Sequence, residues 1–211
     1  MDRSRIRLLA ASIAALVVLA GVATHFLLPP YLSGRVEERL EEHGGRADVE
    51  LRAVPALRLL AGHGDRIEIE GSGLEYEFDD PDRDAFERLD KFDDVRIDLV
   101  DVTAGPFDTQ RFELERSGED TLYRVDIDAS AKPQALAEAA GERFAGSLGE
   151  LIGEIAGGAI PFSAVDVPIR VQGELTSDNG EVRMVSGTGA VAGIPAGPLA
   201  ELVTNAVLSR L

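Results

Sequence analysis

Tyr123-Arg124-Val125-Asp126-Ile127-Asp128-Ala129 decides the fold. Apolar and charged side chains alternate along it without a slip, so an extended strand here has one greasy face and one charged face. The same alternation recurs on both sides. Val49, Leu51 and Ala53 alternate with Asp48, Glu50 and Arg52, and Ile67 and Ile69 alternate with Arg66, Glu68 and Glu70. Leu74, Tyr76 and Phe78 alternate with Glu75 and Glu77, with Gly71-Ser72-Gly73 reading as a turn before them. Val95, Ile97 and Leu99 alternate with Arg96 and Asp98; Phe112 and Leu114 with Arg111, Glu113 and Glu115. Val165, Val167, Ile169 and Val171 follow, then Val182 and Met184 beyond the hairpin signal Asp178-Asn179-Gly180. This is the pattern of a large antiparallel sheet with one face in water and one face covered, and a right-handed twist curls a sheet of that size.

The cover comes from two amphipathic segments. Over 133–157, Leu136, Ala140, Phe144, Leu148, Leu151, Ile152 and Ile155 form one apolar stripe at helical spacing. Gly149, Gly153 and Gly157 recur every four residues in it, which suits either tight helix-on-sheet packing or a loosely packed helix with room for an acyl chain. A terminal helix over 198–211 carries Leu199, Leu202, Val203 and Ala206 and either closes one end of the sheet or docks elsewhere. The expected fold is α+β: a strongly curved antiparallel sheet wrapped around a long helix.

Upstream, Arg3, Arg5 and Arg7 precede 21 residues, 8–28, with no formally charged side chain, closed by Pro29-Pro30. At about 1.5 Å per residue that run reaches about 30 Å, the hydrocarbon thickness of a bilayer. The arginines place the N-terminus in the cytoplasm and the rest of the chain outside. Residues 1–30 therefore read as a transmembrane anchor; the alternative is a secretory signal cleaved near Ala23, after the small residues of Gly21-Val22-Ala23. Residues 31–211 form the extracytoplasmic domain, beginning with a short helix in which Val36 and Leu40 share a face.

Charge narrows the function classes. The whole chain carries −17, and the first 34 residues, with three Arg and one Asp, carry +2, so the remainder carries −19. Such a domain does not neutralise phosphates, which argues against a nucleic-acid partner. It also argues against a basic patch for anionic headgroups, leaving apolar surface as the attraction for lipid. There is no Cys, so an extracytoplasmic domain must be held by packing alone. Trp is absent too, which weakens a carbohydrate-stacking reading.

Catalytic chemistry has little to stand on. The acidic run from Asp79 to Asp84 fails the EF-hand pattern, with Ala85 and Lys91 where Gly and Glu are needed. It suits a helix start instead: Asp80 as cap, Pro81 at the first position, Asp82 and Asp84 at the positive end, Phe86 and Leu89 behind. Of three histidines, His63 lies in a Gly62-His63-Gly64-Asp65 turn and reads as solvated rather than as a general base. No nucleophile elbow is present, and no spacing suggests a metal site. The chain is expected to be neither an enzyme nor dependent on a cofactor; a hydrolase would require a convergent carboxylate pair in a cleft.

Three segments together resemble the LmeA-like family of actinobacterial envelope proteins. They are Leu28-Pro29-Pro30-Tyr31 with Gly34-Arg35-Val36-Glu37; Val54-Pro55-Ala56-Leu57-Arg58-Leu59-Leu60-Ala61-Gly62 with Gly71-Ser72-Gly73-Leu74; and Phe92-Asp93-Asp94-Val95-Arg96-Ile97 with Gly105-Pro106-Phe107. The likeness runs from the anchor to about Gly189, with the terminal helix as a lineage-specific addition. It implies phospholipid binding outside the plasma membrane, in support of envelope glycolipid or mannan maturation, and a fold similar to tubular lipid-binding domains. It carries no active-site residues. The candidate lipid-lining residues are Leu57, Leu59 and Leu60, in an unusually apolar short segment, and Phe144, Leu148, Leu151 and Ile155 on the long helix. Expected partners are phospholipid, the plasma membrane through the N-terminal helix, and envelope-biosynthesis proteins. The rival reading is an adaptor domain that binds an envelope protein and has no lipid cavity.

Overall fold

The computed structural model describes residues 3–76, 84–105, 107–118, 120–131, 166–178, 180–191, 194–195, 203–204 and 207–208. Helix α1 (Arg3–Leu40) leads into β1 (Arg46–Arg52), a 3-10 helix (Ala56–Ala61), β2 (Gly64–Ser72), β3 (Glu75–Tyr76) and α2 (Asp84–Leu89). Then come β4 (Phe92–Ala104), β5 (Phe107–Arg116), β6 (Tyr123–Ala131), β7 (Val167–Asp178), β8 (Glu181–Val191) and β9 (Ile194–Pro195). Among the described residues the strands form one sheet of nine in the order β1-β2-β4-β5-β6-β7-β8-β9, with β3 pairing β4. The alternation places the side chains as expected. Val49, Ile69, Ile97, Phe112, Leu114, Val125, Ile127, Ile169 and Val171 are buried in one cluster, and the charged partners between them line the opposite face.

The sheet is mixed, which corrects the all-antiparallel expectation. β2 and β3 both run parallel to β4; the other pairs are antiparallel. Parallel neighbours need a crossover, and α2 lies in the connection that makes it. Phe86 and Leu89 of α2 are buried against the apolar face. Gly71-Ser72-Gly73 is not a reversal either. Gly71 and Ser72 belong to β2, and Gly73, at φ +66°, breaks the strand before β3 resumes pairing with the same neighbour. The Gly73 N–H donates to the Val100 carbonyl at 3.1 Å, and the Thr103 N–H to Leu74 at 2.9 Å, so the seam continues through the break.

Helix α1 is continuous through Pro29 and Pro30, where the sequence suggested a stop. Its C-terminal half is held from outside the helix. Leu28, Leu32, Val36 and Leu40, four apart, form the stripe that packs on the core. The next stripe satisfies the free edge of β1. Ser33 Oγ accepts the Leu51 N–H at 3.3 Å, Glu37 Oε1 the Val49 N–H at 3.0 Å, and Glu41 Oε1 the Ala47 N–H at 2.8 Å. Four helix residues rise about 6 Å and two strand residues about 6.6 Å, so the two repeats stay in step. An edge strand that would otherwise offer unpaired N–H groups is closed this way. Among the described residues no helix is long and apolar enough to cross a membrane. The anchor expected over residues 1–30 therefore rests on the sequence.

At the other end of the chain, residues 203–204 and 207–208 are helical, and Val203, Val207 and Leu208 are buried in the same core cluster as the sheet. The terminal segment thus packs on the domain's own apolar face. The expected long helix over 133–157, with its glycine strip, lies outside the described residues, as do the cap at Asp80 and Pro81.

Candidate lipid-contacting surface

Residues 53–64 connect β1 to β2 and contain no Asp or Glu, in a chain with 38 of them. The segment is short, rigid and tied down. Val54-Pro55 is a cis peptide, and the Arg58 N–H donates to the Pro55 carbonyl at 3.1 Å. Gly62, at φ +74°, ends the 3-10 helix with its N–H on the Leu59 carbonyl, while the His63 N–H reaches Arg58. Asp65, at the start of β2, accepts the Val54 N–H at 2.7 Å and an Arg58 guanidinium contact, closing the connection at its base. Arg58 is therefore spent on Asp65.

A 3-10 helix has three residues per turn, so positions three apart share a side. Ala56 and Leu59 form the inward pair and are buried; Leu57 and Leu60 form the outward pair. Leu59 is 7% exposed, against 54% for Leu57, 65% for Leu60 and 71% for Val54. The three leucines read together from the sequence thus divide. Leu59 belongs to the core, while Leu57 and Leu60 lie on the surface beside Val54 and border none of the described cavities. The 3-10 helix packs on α1. The α1–β1 ladder runs toward earlier turns of α1 as β1 runs toward residue 53, so the 3-10 helix sits beside the turns preceding Ser33. Those turns expose Val22, Phe26, Leu27 and, slightly later, Tyr31. An apolar corner results, at the foot of α1.

The charged face of the sheet is the opposite kind of surface. Strand register places Asp48, Glu70, Asp98, Glu113 and Asp126 directly opposite one another across β1, β2, β4, β5 and β6, and Gln172 and Thr188 continue the row. Beside it runs a row containing Arg46, Arg111 and Arg170, with Arg111 3.3 Å from Glu113 and Arg170 3.5 Å from Asp128. Shallow clefts follow these rows. One of them, about 860 Å³, is lined mainly by polar-face groups, among them Gln110, Arg111, Asp126, Asp128, Arg170 and Gln172, with Ile127 and Val171 at its floor. Among the described residues no group of three or more His, Cys, Asp or Glu is placed to hold a metal ion.

One polar cluster escaped sequence reasoning. Asp90, just after α2, accepts the Tyr123 hydroxyl at 2.7 Å and Arg116 at 3.0 Å on one oxygen, and Ser177 Oγ at 2.6 Å on the other. Arg116 also donates to the Leu89 and Phe92 carbonyls and lies 4.6 Å over the Tyr123 ring, whose edge meets Phe86. Burial, and then the hydrogen bond to Asp90, raise the Tyr123 phenol well above its usual range. The cluster bolts α2 to the ends of β4, β5, β6 and β7; its members are up to 87 positions apart, and no local pattern marks them. His63 is exposed, with Nδ1 2.9 Å from the Ala61 carbonyl, and has no part in it. Phe144, Leu148, Leu151 and Ile155 lie outside the described residues.

A mixed sheet with one face in water, an apolar face on which helices pack, and most of its exposed large apolar side chains on α1 and the connection over residues 54–60 is an α+β domain. The chain belongs to the LmeA-like phospholipid-binding family, whose model matches residues 23–211. The match runs through the terminal helix, so that segment is part of the family pattern and not an addition to it. No curated protein and no solved structure shows significant similarity to the chain.

Proposed function

We propose that this protein is a membrane-anchored, extracytoplasmic phospholipid-binding module that carries or presents lipid in support of cell-envelope glycolipid or mannan maturation, acting by binding and not by catalysis. The observation that carries the reading is membership of a phospholipid-binding family over residues 23–211. The uncharged run over residues 8–28, behind three arginines, supports the anchor and the outward placement of the domain. The continuous apolar face supports acyl-chain contact, since each methylene withdrawn from water contributes about 0.8 kcal/mol. On this reading Phe144, Leu148, Leu151 and Ile155 line the lipid, and envelope-biosynthesis proteins receive it.

The test is native mass spectrometry of the full chain released from detergent, followed by solvent extraction. A stoichiometric phospholipid adduct, lost in Leu148→Glu while thermal unfolding is retained, is the expected result. A clean unliganded mass that also takes up no added phospholipid overturns it.

A further inference from the structure

We propose that Val54, Leu57 and Leu60, with the adjoining turns of α1, form a docking collar that seats one corner of the domain in the interfacial layer of the phospholipid bilayer. This rests on the reading that α1 enters that bilayer. Three observations select a lipid surface as the occupant.

The first is continuity. Helix α1 is unbroken from the uncharged run of residues 8–28 to the stripe that packs on the core. The 3-10 helix packs on α1, and the direction of the α1–β1 ladder puts it beside the turns preceding Ser33, where the run meets the domain. The second is side-chain chemistry. Val54, Leu57 and Leu60 are exposed on a backbone pinned by Asp65, and α1, on which the 3-10 helix packs, exposes Phe26, Leu27 and Tyr31. Apolar groups immersed about 5–10 Å deep at the headgroup boundary are the usual means by which a surface element holds a membrane. Scattered apolar exposure is ordinary, but a contiguous patch is not.

The third is charge. A domain of −19 is repelled by an anionic leaflet wherever its carboxylates face it. Residues 53–64 carry none, and Arg58 is neutralised locally by Asp65. The same end of the sheet, further along at β4–β7, carries Asp90, Asp93, Asp94, Asp120 and Asp178. Contact is therefore confined to the β1 corner, and the domain leans on the membrane at that point instead of lying along it.

The chain has no Trp, so a single introduced one reports its own surroundings. Leu57→Trp and Leu60→Trp, both at sites more than half exposed, are compared with Thr121→Trp, exposed at the same end of the sheet but beyond the acidic residues. Each full-length chain is reconstituted in phosphatidylcholine–phosphatidylglycerol vesicles, with equal thermal unfolding confirming the fold. The expected result is blue-shifted emission at positions 57 and 60, quenched by lipids brominated near the headgroup end of the acyl chain, with neither effect at position 121. Emission at 57 and 60 matching that at 121, in chains that float with the vesicles, overturns the collar and leaves the anchor standing. A blue shift that brominated lipid does not quench assigns the corner to a protein contact and also overturns it. Chains that fail to float overturn both.

Discussion

The connection over residues 53–64 and the charged face of the sheet are both exposed, and they make opposite choices. The face stacks five carboxylates in register across five strands, an arrangement that costs stability because like charges sit directly opposite one another. The connection holds three large apolar side chains in water and admits no carboxylate at all. Neither choice helps the isolated fold. A surface that needed only solubility would spread its acids and bury its leucines. The contrast is what the proposed docking predicts: water and counter-ions over the face, an apolar phase at the corner.

The contrast breaks most easily inside the connection itself. Leu59→Ala empties a buried site and is expected to cost about 2–5 kcal/mol in chemical denaturation. Leu57→Ala and Leu60→Ala, two residues before it and one after, are expected to stay within about 0.5 kcal/mol of wild type. Equal losses at all three positions would mean that the outward pair is packed after all, and the apolar corner would be core.

That split marks what could be read from the chain. Strand faces were legible, because burial follows a period of two along most of each strand, slipping at irregularities such as Val100–Asp101 and Gln110–Arg111. Strand direction was not, because alternation reports which face a side chain takes and says nothing about which way the backbone runs. The clue was nonetheless present: a helix start with Phe86 and Leu89 between two strands is the mark of a crossover and hence of a parallel pair. Gly71-Ser72-Gly73 misled for a related reason. Glycine permits the positive φ found at Gly73, and the chain uses it to interrupt a strand rather than to reverse it. The apolar segment 54–62 stood out at once, but its division into inward and outward pairs depends on a three-residue period that only a 3-10 helix imposes. The cluster around Asp90 was invisible, since tertiary pairing alone brings its members together.

Asp90 sharpens the comparison from the other side, as a carboxylate whose oxygens are occupied by Tyr123, Arg116 and Ser177. Tyr123→Phe removes a hydrogen bond to a charged acceptor and is expected to cost about 1.5–3 kcal/mol at neutral pH. The phenol's folded pKa lies above its ordinary value of about 10, so its contribution is fully present below about pH 10 and is lost as pH rises beyond it. The wild type should therefore lose thermal stability above about pH 10 more steeply than Tyr123→Phe, so that the two curves draw together as pH rises. Parallel curves would show that the phenol titrates normally and that the cluster is open to water.

The smallest expected effect tests the carboxylate row. Asp98 lies in β4 between Glu70 of β2 and Glu113 of β5, and no basic side chain among the described residues forms an ion pair with it. Replacing it by Lys turns two repulsions into two attractions, a gain of about 0.2–1 kcal/mol. Asp98→Asn removes the repulsion without adding attraction and should fall between wild type and Asp98→Lys. Salt should erase the ranking, because exposed charges separated by strand spacings are screened as ionic strength rises. If Asp98→Lys instead destabilises the protein at low salt, the row is not self-repelling in solution. A bound cation or a basic partner must then neutralise it, and the charged face, like the apolar corner, would have a neighbour other than water.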